Sequence, residues 1–108
     1  MEKYGNAARD SEDTGLDERL RPILPAYLEA RARDAGDMLA ALERGDYERI
    51  RTIGHKMHGS GAGYGFTRIS EIGARVEAAV DAPDENAIRQ LAAELREYVA
   101  EVVSQAGI

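Results

Sequence analysis

Cysteine is absent from the 108 residues, which excludes disulfides and thiolate metal sites and suits a reducing cytoplasm. Tryptophan is also absent and phenylalanine occurs once, although 44% of residues are apolar. A core must therefore be built from Leu, Ile, Val, Met and Ala, the composition of a helical bundle. No apolar run approaches the ~20 residues of a membrane span, and the polar N-terminus is unlike a signal peptide. The expectation is a protein that is neither anchored nor exported. Cations are outnumbered, 14 Lys and Arg against 20 Asp and Glu, and a net charge of −6 would repel nucleic-acid phosphates. No stretch alternates with period two, so no strands are expected. The length fits one domain with a single core.

Residues 1–15 are polar and aperiodic and read as a flexible tail, leaving residues 16–108 as the folded domain. Leu16, Leu20, Ile23 and Leu24 recur at helical spacing, with Pro22 and Pro25 between them. A short helix before Pro25 and a longer one after it is the simplest reading, since proline is tolerated in a first turn. The longer helix carries Leu28, Ala32, Ala35, Leu39 and Leu42 on one face, and Gly45 ends it. Asp46 is placed to cap the next helix. Thr67 is a candidate cap for a third, whose stripe is Ile69, Ile72, Gly73, Val76 and Val80. Asp84 caps the last, which shows Ile88, Leu91, Leu95, Tyr98, Val99 and Val102, with Gly107 at its end. Four long helices on short turns imply an all-α, antiparallel up-down-up-down four-helix bundle with a short extra N-terminal helix.

The second long helix is the unusual one. Ile50, Ile53, Met57 and Tyr64 form its apolar stripe, with Tyr47 at the margin. At 100° per residue, His55 stands about 150° from the stripe's centre, facing outward. Arg51 lies one turn before it, Gly59 one turn after and Ala62 two turns after. Gly54, Gly59, Gly61, Gly63 and Gly65 crowd into this segment, each costing about 1 kcal/mol relative to alanine inside a helix. Because the apolar period carries through to Tyr64, the helix is expected to continue past Gly59 and Gly61. Gly61, on the inner face, would let a neighbouring helix approach. Gly59, on the outer face, would let another protein approach.

The run His55-Lys56-Met57-His58-Gly59-Ser60-Gly61-Ala62-Gly63-Tyr64-Gly65 resembles the signature of histidine-containing phosphotransfer (HPt) domains. That signature has a phosphoacceptor His, usually Lys three residues on, then Gly and often Ser, with further small residues behind. His55, Gly59, Ser60 and Gly65 match in place; His58 departs from the usual lysine. The resemblance implies a histidine phosphocarrier in a two-component phosphorelay. His55 would accept a phosphoryl group from a receiver-domain aspartate and pass it to another receiver. Such a chain is expected to be no kinase and to bind no nucleotide or other cofactor, any Mg²⁺ belonging to the receiver partner. Response-regulator receivers and a hybrid histidine kinase are the expected partners of a cytoplasmic monomer that binds neither nucleic acid nor membrane.

The chemistry is coherent, because a neutral imidazole nitrogen attacks phosphorus well near pH 7 while the other nitrogen keeps an orientable proton. His58 lies about 60° around the helix from His55, within reach of the same phosphoryl group, and is a candidate stabiliser in place of lysine. A swap of roles is disfavoured, since it would put Gly61 and Ala62 where the motif wants Lys and Gly. Lys56 faces about 100° away and reads as a solvated charge. Arg51 is the better candidate for charge support. Ser60 is expected to hydrogen-bond a neighbouring helix or its own backbone. The glycine run matches neither a P-loop nor a dinucleotide fingerprint, and no motif supplies a third metal ligand beside the two histidines. The competing reading is a non-catalytic helical docking or antagonist module that binds receiver-like partners without transfer.

Overall fold

The computed structural model of the chain describes residues 18–107; the expected tail and Leu16 lie outside them. A 3₁₀ helix, Glu18–Ile23, contains Pro22 and leads directly into α1, Leu24–Glu43, with Pro25 in the first turn. There its missing N–H is no loss. The chain reverses at Gly45, whose φ of 71° favours glycine, and enters α2, Tyr47–Ser60. Asp46 caps α2 by accepting from the Arg49 N–H at 3.1 Å. Next come a 3₁₀ turn, Ala62–Tyr64, and α3, Thr67–Asp81. Asp84, which accepts from the Ala87 N–H at 3.0 Å, opens α4, Glu85–Ala106. Each helix packs on the next and α4 closes on α1, so the four form the expected antiparallel bundle.

The anticipated stripes fill the core. All six named residues of α4 are buried, as are all five of α3 and Ile50, Ile53 and Met57 of α2. On α1, Leu28, Ala35 and Leu42 are buried, while Ala32 and Leu39 lie at the core's edge. Tyr27 and Met38 join the core from flanking positions. Among the described residues no polar or charged residue is buried, and ion pairs between helices, such as Arg49–Asp37 and Arg75–Glu94, are exposed. Surface pairs contribute little, so apolar burial holds the bundle together. No helix of the described residues is long and apolar enough to cross a membrane.

Two details depart from expectation. The α-helix stops at Ser60 instead of running on to Tyr64. Gly61 keeps helical dihedrals, but its carbonyl accepts both the Tyr64 and Phe66 N–H groups, tightening the chain into the 3₁₀ turn. Gly65, at φ 90°, then redirects it. Tyr64 keeps its inward aspect across this turn by stacking on Tyr27, ring centroids 4.0 Å apart, which is why the apolar period outlasts the helix. Thr67 is the first helical residue rather than the cap; Phe66 takes that position with no side-chain hydrogen bond. Burial of its ring, stacked on Tyr27, fixes Phe66 there.

Candidate functional site

Two glycines bring α2 and α3 close together. A Cβ on Gly73 of α3 would collide with the backbone N of His58 and the backbone O of Gly54 on α2. One on Gly54 would strike the Val76 side chain. Only residues without side chains permit this approach. Glu77 lies one turn beyond Gly73 on the rim of the contact. Helical side chains lean toward their own N-terminus. In an antiparallel pair, Glu77 therefore leans toward the two histidines of α2 while they lean toward it. Its two carboxylate oxygens are each 2.8 Å from an imidazole Nδ1, one from His55 and the other from His58. One turn further along the same register, Arg51 meets Asp81 at 2.6 Å.

A carboxylate only accepts hydrogen bonds, so Nδ1 of each ring must carry the proton. The hydrogen bonds from His55 and then His58 hold the Glu77 carboxyl below its usual range, so it is ionised at neutral pH. A neutral His55 held this way keeps its lone pair on Nε2. Its side chain is 77% exposed, against 53% for His58 and 23% for Glu77. The nitrogen with the lone pair thus belongs to a largely exposed ring whose protonated nitrogen is tethered to a neighbouring helix.

The surroundings of His55 are open. A Cβ on Gly59 or Gly63 would meet nothing within 4 Å. On the other side is a shallow groove of about 230 Å³, lined by Arg51, Thr52, His55, Lys56 and Glu77. That is below the range of small-molecule pockets, about 300–1,000 Å³. Arg51 lines the groove but is already engaged by Asp81; Lys56 also lines it and has no ion pair among the described residues. Ser60 Oγ bonds the Tyr27 hydroxyl at 2.8 Å, tying the end of α2 to α1. Gly61 lies against the backbone of Ser70 and Phe66, and the Ser70 hydroxyl accepts from the Ala62 N–H at 2.8 Å. Among the described residues no group of three or more His, Cys, Asp or Glu side chains is arranged to hold a metal ion.

The site is thus an outward imidazole on the second helix of a four-helix bundle, tethered by a carboxylate from the third. The family model for the Hpt domain matches residues 22–105. The chain belongs to the Hpt family. No curated protein and no solved structure matches it. As an Hpt domain it is a histidine phosphotransfer module of the phosphorelay type, with receiver domains as partners and no catalytic activity intrinsic to the family. The matched region spans α1 to all but the last residue of α4, so the family's extent and the bundle coincide.

Glu77 is the residue that sequence reasoning missed in this Hpt domain. A usable signal existed. Counting outward from Phe66 along antiparallel helices pairs His55 with Glu77 and Arg51 with Asp81 at equal distances. Both pairs are complementary in charge or hydrogen bonding, and both are spaced by one helical turn.

Proposed function

We propose that this Hpt domain is a phosphocarrier with His55 Nε2 as its acceptor atom. The observation that carries this reading is the Nδ1–Glu77 bond, which fixes the tautomer with its lone pair on the open side. In the forward step, Nε2 attacks the phosphorus of a receiver's aspartyl phosphate. The P–O bond to the aspartate breaks, and the carboxylate leaves with the bonding pair. The Nδ1 proton stays on His55, where Glu77 offsets the positive charge the ring acquires. Passing the group to a second receiver reverses these bond changes. The chain brings no cofactor; Mg²⁺ and most of the charge stabilisation come from the receiver.

Supporting roles follow from position. Gly59 keeps the partner's approach clear, and His58 is placed to stabilise the phosphoryl group. Arg51 can contribute charge only at the expense of its bond to Asp81, so Lys56 is the more available cation in the groove. The chain works as a cytoplasmic monomer that receives phosphate from a hybrid kinase's receiver or a separate regulator.

The test is incubation with a phosphorylated receiver, followed by detection of acid-labile, base-stable phosphate on this chain. Wild type should label. His55→Gln should not, while its melting transition stays within roughly 0.5 kcal/mol of wild type, as expected for an exposed residue. Receiver binding without any label would replace the carrier reading by the docking-module reading.

A further inference from the structure

The geometry points to a proton-coupled carrier: phosphorylation of His55 takes up one proton at His58 Nε2, so the protein holds its phosphoryl group better as pH falls. This inference rests on His55 being the acceptor. It starts from the second oxygen of Glu77. Because that oxygen bonds His58 Nδ1, a neutral His58 has its one proton committed to the carboxylate and a bare lone pair on Nε2. A phosphoryl group is made of acceptors, so neutral His58 offers it nothing. An ammonium at the same position would offer three donors and a permanent charge. Protonating Nε2 changes the sign of the interaction. The imidazolium keeps Nδ1–H on Glu77 and turns a new N–H and a positive charge outward.

The neighbours leave this task to His58. His55 and His58 are three residues apart on one helix face, and their Nδ1 atoms bond the two oxygens of one carboxylate. A group on His55 is therefore beside the His58 ring. From α3, the ionisable side chain that meets His58 is Glu77, which is held ionised. Asp81, a turn away, is bonded to Arg51. The 3₁₀ turn that follows α2 contributes no acid or base; its one titratable residue, Tyr64, is stacked on Tyr27. On α2 itself, His55 is the reacting ring and Lys56 projects about 100° from it. No fixed cation stands where the signature places lysine, and the site obtains one from solvent as a proton.

Linkage fixes the sign. A dianionic group within about 4–6 Å favours the charged imidazole, so phosphorylation must strengthen proton binding at His58. By reciprocity, proton binding must favour the phosphorylated form. The equilibrium level of phospho-His55 should fall by up to tenfold per pH unit across the interval between the two titration midpoints of His58.

The experiment uses the full chain, which contains only two histidines, so each ring can be followed by NMR. Phosphoramidate, a small phosphoryl donor, loads the protein without a receiver. The His58 ring protons are then titrated from pH 5 to 9 with and without the phosphoryl group on His55. The expected result is an upward displacement of the His58 midpoint by about one pH unit or more on phosphorylation. In parallel, equilibrium transfer from a phosphorylated receiver is measured for wild type and His58→Lys. The lysine variant should lose the excess pH dependence and match or exceed wild type at pH 8. An unmoved His58 midpoint, or parallel pH profiles for the two proteins, overturns the proposal. So does a phosphoryl group found on His58, which would make Nε2 a nucleophile instead of a proton site. A protein that shows the displaced midpoint after phosphoramidate loading but takes nothing from any receiver would refute the carrier reading and leave the proton coupling standing.

Discussion

Replacing Gly73 by alanine adds one methyl group and should damage both the fold and the site. The new Cβ would press on the His58 backbone N, lie 2.5 Å from the Gly54 carbonyl oxygen and 2.9 Å from Met57 Cβ. Ordinary contacts begin near 3.4 Å, so α2 and α3 must part by roughly 1 Å. Two of the three obstacles are backbone and the third is a Cβ fixed to it, so none can rotate aside. Overpacking of this kind costs about 1–3 kcal/mol, and the helix preference of alanine over glycine returns about 1. The difference is at most about 2 kcal/mol, and because the obstacles are backbone atoms the upper half of that range, about 1–2 kcal/mol, is expected, lowering the melting temperature by roughly 4–16 °C for a domain of this size. The same separation draws Glu77, one turn on, away from both imidazoles and stretches two 2.8 Å hydrogen bonds. Transfer should therefore slow even well below the melting temperature. Thermal unfolding and a single-turnover transfer assay at 10 °C read the two effects separately. A Gly73→Ala protein that melts at or above wild type would show that close approach of α2 and α3 is not what this glycine provides.

Gly59→Leu should fold as well as wild type or better, by up to about 1 kcal/mol in thermal unfolding, because a Cβ there meets nothing within 4 Å. Its transfer rate should nevertheless fall as the leucine obstructs the receiver; unimpaired transfer would refute the clearance argument. Glu77→Gln should slow transfer by about ten- to a hundredfold in a single-turnover assay, the worth of one hydrogen bond to a charged group. The folded-state pKa of Glu77 is depressed, so its contribution to stability is present above about pH 4.5 and lost as pH falls through the folded value. Urea unfolding from pH 6 to pH 3 should show that part of the acid loss in wild type and not in Glu77→Gln. Tyr27→Phe keeps the ring stack but removes the bond to Ser60, and should cost about 1 kcal/mol in urea unfolding with transfer little changed.

Much of this architecture is legible in the sequence, and the exceptions share a cause. Helical periodicity identifies the inward face of each element, and it gives the buried residues of α3 and α4 except Ala79 and Ala92. The caps at Asp46 and Asp84 are local chemistry and were equally readable. His55 and Gly59 were placed on an open outer face by spacing alone. Glu77 was invisible to the same reasoning because one helix's period says nothing of its axial offset from the next. That offset is set by the 3₁₀ turn and by the fit of Gly73 against α2, both tertiary facts. The misplaced helix end and the misplaced cap at Thr67 arise likewise, from aromatic rings packing on Tyr27 and overriding local preference.

The glycines of this chain separate structure from function more sharply than its charged residues do. Gly54 and Gly73 break the local preference of a helix and Gly61 follows the end of one, and each has a compensating contact: a Cβ would strike a neighbouring element. Their presence follows from packing alone. Gly59 breaks the same rule in the same helix and has no such compensation, since nothing lies within 4 Å of where its Cβ would stand. No packing contact in the fold accounts for a glycine at this position. Its place one turn from His55, on the face where Nε2 is bare, is what the proposed docking of a receiver at His55 would require. Gly54 and Gly73 let Glu77 reach the histidine, and Gly59 leaves the surface beside it clear.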